Sequence, residues 1–199
     1  MPQLSVSDAV RYLLVGTQFL LFCLLFDQDG TVKLTTQLTP PVLLVLLWGI
    51  GTAWFFVYRS LLHNTVITWA KDRVGSNYRT FLIANYPGLV TQATEAEEVN
   101  FHVRLSQDAR TQDWMAARAS GIHFLYLTGF LAGMWFIASV VSCHGVWVSA
   151  TFLVVSAAFL RAAWIDDLRM EMIETGFVRK KHNDGSLKSL IEGIRRDRG

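Results

Sequence analysis

From Ala119 to Leu160 the chain carries no Asp, Glu, Lys or Arg. The only titratable side chains in that stretch are His123, Tyr126, Cys143 and His144. A helix rises about 1.5 Å per residue, so roughly 20 apolar residues cross the ~30 Å hydrocarbon core of a bilayer. The run is too long for one crossing and long enough for two. It relents once, at Ser142-Cys143-His144-Gly145. The expected structure is a membrane helical hairpin, with spans over about 120–141 and 146–161 and a tight turn between them. A buried hairpin in a soluble domain is the competing reading. Two adjacent charge-free runs of this length are hard to hide in a chain of 199 residues.

Two more charge-free runs precede the hairpin. Tyr12 to Phe26 lies between Arg11, whose charged end can snorkel, and Asp27. A secretory signal is the alternative for this segment. One Arg makes a weak basic region, and no small-x-small site separates the run from Asp27-Gln28-Asp29. A retained first span over about 10–26 is expected. Pro40-Pro41 opens the second span, about 41–60, because proline is tolerated where a helix start needs no N–H. Gly49, Gly51 and Ala53 make one wall of that helix small, and Trp48 and Trp54 make it bulky elsewhere. Charged residues are 17% of the chain, against about 25% in a soluble domain.

The polar segments have their own patterns. Asp27 to Thr39 reads as a turn, from Asp29-Gly30 and its threonines. Arg59 to Arg118 holds mixed charge, and Leu62, Val66 and Trp69 continue the second helix toward Val74-Gly75. A short helix is expected from Asn77 to Ala84, then a turn at Tyr86-Pro87-Gly88. Thr94 with Glu97 three positions on reads as a helix start. Val99, Phe101, Val103 and Leu105 alternate as in a strand, but an element this short between helices is read as helix. Asp108 to Arg118 runs on into the third span. Beyond Leu160 an apolar stripe of Ile165, Leu168, Met172 and Ile173 carries the fourth helix to Gly176, the expected cap. Asn183-Asp184-Gly185 is a turn, and Ser186 starts a last amphipathic helix with Leu187, Leu190, Ile191 and Ile194 on one face.

The fold expected is therefore all-α: a polytopic membrane protein of four transmembrane helices. The second and fourth extend into the cytoplasm, with a small cytoplasmic helical insert over about 61–118 and a tail over about 162–199. Of 18 Lys and Arg, only Lys33 falls in the two connections assigned to the outside. The positive-inside rule then puts both termini and the insert in the cytoplasm, with a bacterial inner membrane as host.

Candidate functional residues are few. Gly129 and Gly133 form a GxxxG pair that suits either self-association or packing within the chain. Arg179, Lys180 and Lys181, with Arg195, Arg196 and Arg198 on the last helix, suit anionic lipid or a protein partner. The histidines, His63, His102 and His123 among them, show no metal-ligand spacing, so no metal and no cofactor is expected. His123 sits near the start of a span, where an ionisable group usually faces the bundle interior. Cys23 and Cys143 both lie toward the outer face and can pair only if their backbones are close. A net charge of +2 gives no general pull toward nucleic acid.

No motif names a reaction. Three functions stay open. The first is a non-enzymatic homo-oligomeric membrane subunit whose insert and tail bind a soluble cytoplasmic protein. The second is an oligomeric channel or membrane-disrupting effector, its path lined by Thr17, Gln18, Gly49, Thr52, Ser139 and Ser142. The third is a membrane enzyme using His63, His102, Glu97, Glu98, Asp166 or Asp167. No span has a deep charge, which argues against a coupled transporter. In layout alone the chain resembles the small membrane subunits of bacterial phage-defence systems, and equally many other inner-membrane proteins. That likeness carries no residues with it.

Overall fold

A computed structural model describes residues 6–74 and 77–197, the side chains of 6–11 and 72–74 excepted. The Arg11 side chain, Gly75, Arg198 and Gly199 thus lie outside the described residues. Every regular element among those described is helical. In chain order they are α1 (Val6–Phe26), α2 (Gln28–Gln37), α3 (Pro40–Tyr58), a π-helical segment (Arg59–Ile67) and α4 (Thr68–Val74). Then come α5 (Tyr78–Asn85), α6 (Ala93–Leu105), α7 (Ala109–Val141), α8 (Val146–Asn183) and α9 (Ser186–Asp197).

Three helical stretches are long and apolar enough to cross a membrane: Pro40–Lys71, Ala109–Val141 and Val146–Asn183. Tyr12–Phe26 is a shorter apolar helix. Within the apolar windows of the three long stretches only 22%, 39% and 17% of residues are buried. Their apolar side chains, Val45, Phe56, Ile137, Val140 and Val154 among them, face outward. That is compatible with lipid around an integral membrane protein and inverts the pattern of a soluble bundle.

The chain forms two compact units. An apolar unit comprises Met1–Trp69 and Gly121–Trp164, and a polar unit comprises Ala70–Ser120 and Ile165–Gly199.

In the apolar unit α1 and α3 touch backbone to backbone. A Cβ on Gly16 would lie 1.9 Å from the Leu47 carbonyl oxygen, and one on Gly51 1.9 Å from that of Tyr12. Of the small wall expected on the second helix, Gly51 is the residue that matters, for Gly49 has nothing within 4 Å of such a Cβ. Aromatic rings fill the rest. Phe19 meets Trp54 and Trp135, Phe22 meets Phe152 edge-on at 5.3 Å, and Phe26 stacks on His144 at 3.9 Å. Few polar bonds cross between helices. Thr128 Oγ1 donates to Gln18 Oε1 at 3.0 Å, Ser139 and Ser149 pair their hydroxyls at 2.8 Å, and Ser156 Oγ donates to the Gly129 carbonyl at 2.8 Å. His144 Nε2 donates to the Phe26 carbonyl at 2.9 Å, closing the end of α1. The hairpin turn takes its left-handed residue at Cys143, φ 53°.

The polar unit has its own core, built by Tyr78, Leu82, Val90, Ala96, Val99, Val103, Val178, Leu187 and Ile191. The apolar face of α9 is spent here, with Leu187 and Ile191 buried and Leu190 and Ile194 packed beside them.

Several local expectations need correction. Asp27 to Thr39 is not a turn but the helix α2. The Asp27 carboxylate caps it, accepting the Gly30 N–H at 3.1 Å. A Cβ at Gly30 would sit 2.2 Å from Asp27 Oδ2, so a larger residue there would displace the capping carboxylate. Helix α6 starts earlier than Thr94. Glu95, not Glu97, folds back, its Oε2 accepting from the Thr91 and Gln92 N–H groups at 2.6 and 3.2 Å. Helix α8 passes through Gly176 and ends where Gly185 adopts φ 73°. The alternating stretch Val99–Leu105 is helical, as read.

The polar part of α8 is also turned relative to the expected stripe. Its buried side chains are Asp167, Met170, Glu171, Glu174, Thr175 and Val178. Met172 is 69% exposed and Ile165 38%.

Candidate functional site

The inward acids of α8 define the chemistry of the polar unit. Asp167, Glu171 and Glu174 fall at i, i+4 and i+7, one face of a helix. Three other helices bring cations to them. Lys71 of α4 donates to Asp167 Oδ1 at 2.9 Å and lies 3.9 Å from Glu171 Oε2. Arg79 of α5 pairs with Glu97 at 3.0 Å and lies 3.8 Å from Glu171 Oε1. Arg104 of α6 lies 3.5 Å from Glu174 Oε1, and Asn100 Nδ2 donates to Glu174 Oε2 at 2.9 Å. Burial raises the Glu171 carboxyl above its ordinary range against the pull of Lys71 and Arg79. Burial raises Glu174 as well, opposed by Arg104 and the Asn100 hydrogen bond. It also raises the Tyr78 phenol. Such a cluster ties α4, α5 and α6 to α8 by charge instead of oil.

A second cluster sits in the apolar unit beside the π-helical segment. Tyr58, wholly buried, shares a 3.0 Å hydrogen bond with His123 Nδ1. His63 meets the His123 ring edge-on, centroids 4.5 Å apart. Tyr126 stacks on Tyr58. The π winding is supported by hydroxyls: Thr65 Oγ1 donates to the Leu61 carbonyl, and Thr68 Oγ1 to the His63 carbonyl, five residues back, at 2.9 Å. The expectation that His123 faces other helices and hydrogen-bonds to one of them agrees with this geometry. Among the described residues no group of three His, Cys, Asp or Glu gathers as metal ligands.

The other sequence candidates are placed as follows. Gly129 and Gly133 face α8 of the same chain. A Cβ on Gly129 would meet Leu160 at 2.7 Å, and one on Gly133 would meet Ser156 Oγ at 3.2 Å. The pair is thus occupied within the chain. Arg179 lies over the Phe81 ring, and Lys180 is exposed while Lys181 is half-buried. Arg195 Nη1 donates to the Gly88 carbonyl at 3.1 Å, and Arg196 Nε to the Glu192 carbonyl at 3.4 Å. With its apolar face inside the core, α9 offers lipid only its basic face. Asp166 and Asp167 diverge: Asp166 meets Arg118 and Arg169, Asp167 meets Lys71. They do not act as a pair. Cys23 and Cys143 are unbonded. His102 stands at the side of α6 with its ring edge-on to Phe101, away from the acidic cluster's hydrogen bonds.

Sequence reasoning named Asp167 and Glu97 but missed Lys71, Arg79, Asn100, Arg104, Glu171 and Glu174. The available signal was the i, i+4, i+7 spacing of the three α8 acids. On the surface of this unit a groove of about 300 Å³ is lined by Phe101, Arg104, Leu105, Gln112, Asp113, Met115 and Ala116. Phe101 is 54% exposed, Leu105 51% and the neighbouring Trp114 44%. Comparison of the chain with protein-family models, curated proteins and solved structures gives no match.

Proposed function

We propose that this chain is a non-enzymatic subunit of a bacterial inner membrane, which crosses it four times by α1, α3, α7 and α8. Both termini and the polar unit are cytoplasmic, and the polar unit docks a soluble protein partner. The layout suggests the membrane component of a phage-defence system as its setting. The observation that carries the reading is the outward apolar surface of the polar unit. Met172, Phe101, Leu105 and Trp114 are exposed, while α8 keeps Asp167, Glu171 and Glu174 inside. A helix in water that buries carboxylates and exposes methionine has a covered face in its working state. The polar unit has an apolar core of its own.

The channel reading finds less support. The Thr17 and Thr52 hydroxyls donate to carbonyls of their own helices, Gln18 Oε1 accepts the Thr128 hydroxyl, and the Ser139 hydroxyl pairs with that of Ser149. The partner-binding role does not depend on self-association, and Gly129 and Gly133 have their use inside the chain.

Purification from native membranes under mild detergent should bring down a soluble protein in fixed ratio. Phe101→Asp with Leu105→Asp should lose it while the subunit stays folded in the membrane, because a charge in the groove must be desolvated on docking. A wild-type subunit that purifies alone from its native host, or a partner that the double variant retains, would refute the proposal.

A further inference from the structure

Arg161 ends the apolar run of α8, but it is not level with the start of the apolar run of α7. Contacts between the two helices fix their register. Ser156 Oγ donates to the Gly129 carbonyl at 2.8 Å, and a Cβ on Gly129 would lie 2.9 Å from the Leu160 backbone nitrogen. Arg161, the next residue, therefore stands near the level of Gly129. The charge-free run of α7 begins ten residues before Gly129, at Ala119, about 15 Å along the helix. Counted from the hairpin turn, Arg161 follows Val146, the first residue of α8, by fifteen residues. That is about 22 Å of helix against a hydrocarbon core of ~30 Å. Both measures put the cation more than one helical turn inside the core.

Arg161 is exposed there, beside the exposed Ala157, Ala158 and Ala162 of the same helix. Its guanidinium has no ion pair or hydrogen bond among the described residues. The charges that follow it on α8 differ: Asp166 meets Arg118 and Arg169, and Asp167 meets Lys71. Nor does the helix aim Arg161 toward the nearer water. Cα–Cβ bonds lean toward a helix's N-terminus, which for α8 is the hairpin end, so the side chain sets out over Ala157 and Ala158 toward the middle of the bilayer. A lone guanidinium in hydrocarbon is costly, and it is relieved by water and headgroups drawn inward with local thinning of the bilayer. A phosphodiester suits it, since a planar fork of N–H donors meets two phosphate oxygens at once. The small alanines leave that approach open.

Given the four-span reading, on which this rests, we propose that Arg161 binds a phospholipid phosphate of the nearer leaflet and so draws headgroups and water inward along the exposed face of α8. The ligand is a lipid phosphodiester and not free phosphate, because the exposed side chains before it, Leu153 and Val154, face acyl chains.

The test uses the full chain in vesicles of phosphatidylethanolamine and phosphatidylglycerol. With arginine isotope-labelled at Cζ, solid-state NMR recoupling to lipid phosphorus should show a guanidinium carbon dephased in wild type and missing from Arg161→Leu. An Arg161 signal without phosphorus dephasing overturns the proposal. Excess inorganic phosphate in the buffer should leave the dephasing unchanged; its loss would make the ligand a soluble anion and overturn the lipid assignment. Spin labels give a second measurement, on a Cys23→Ser, Cys143→Ser background. A nitroxide at Ala158→Cys should be open to a water-soluble nickel chelate and lose that access in Arg161→Leu, while one at Val154→Cys stays open to oxygen alone in both. Equal access at position 158 with and without Arg161 overturns the proposal and leaves the four-span reading standing. Chelate access at position 154 in both proteins removes the crossing by α8, and the proposal with it.

Discussion

Gly51→Ala should break the crossing of α1 and α3, while Gly49→Ala, two residues away on the same helix, should leave it intact. The added methyl group at position 51 would start 1.9 Å from the Tyr12 carbonyl oxygen and 2.8 Å from its carbon. Those atoms belong to backbone and cannot rotate away as a side-chain tip would. The two helices must separate, and the packing of Val15, Leu47 and Phe55, each buried at this contact level, goes with them. Association in lipid has no hydrophobic drive to compensate, because acyl chains solvate leucine as well as protein does. A loss of about 3 kcal/mol is expected, roughly 10 °C in Tm for a chain of this length. Gly16→Ala, facing the Leu47 carbonyl at 1.9 Å, should behave alike. Gly49 has open space around it, so alanine there should be neutral or slightly stabilising through helix propensity. Thermal unfolding of the purified variants in one detergent checks all three. Equal behaviour of positions 49 and 51 would show that the helices do not meet at this glycine.

Lys71→Met should be the most damaging single change in the polar unit. The Lys71 and Asp167 side chains are 13% and 11% exposed, so neither is well hydrated. Removing the cation takes away the 2.9 Å Lys71–Asp167 contact beside Glu171 and Glu174, and breaking a buried pair from one side typically costs about 3–5 kcal/mol. Replacing both members by apolar residues removes the acid together with its cation. Lys71→Met with Asp167→Leu should therefore recover much of the loss, the signature of a coupled pair. Hydrogen exchange would register the change as lost protection in α5 and α6, which rest on the same acids. A double variant no better than the single one would mean that Lys71 contributes packing and not charge.

These residues also show how far the sequence was legible. The apolar hairpin was readable because a charge-free run obeys one rule, length against bilayer thickness, and Cys143 and His144 mark its only break. The facing of α8 beyond the hairpin was not. Ile165, Leu168, Met172 and Ile173 make one helical stripe, and Asp167, Glu171 and Glu174 make another beside it. Local pattern favours burying the first. The choice of the second is made by Lys71, Arg79 and Arg104, close in space but distant in sequence, which periodicity cannot see. Similarly, Asp29-Gly30 has the composition of a turn, and only the Asp27 carboxylate lying against Gly30 turns it into the start of α2. The π-helical winding near His63 left a fainter trace, the hydroxyls of Thr65 and Thr68 placed to hold carbonyls that a regular helix would satisfy itself. Gly129 and Gly133 were readable as a contact between helices, and Leu160 and Ser156 identify the partner helix as the chain's own.

The proposed function puts the polar unit in the cytoplasm and four helices across the membrane, and cysteine labelling in intact cells tests that directly. Cys143 is exposed at the hairpin turn. With Cys23→Ser as background, a membrane-impermeant maleimide should label Cys143 from outside the inner membrane without lysis. In a variant carrying Cys23→Ser, Cys143→Ser and Ser189→Cys, the new thiol on the exposed side of α9 should react only after the membrane is opened. Labelling at position 189 in intact cells, with Cys143 protected, would invert the topology and contradict the proposed function.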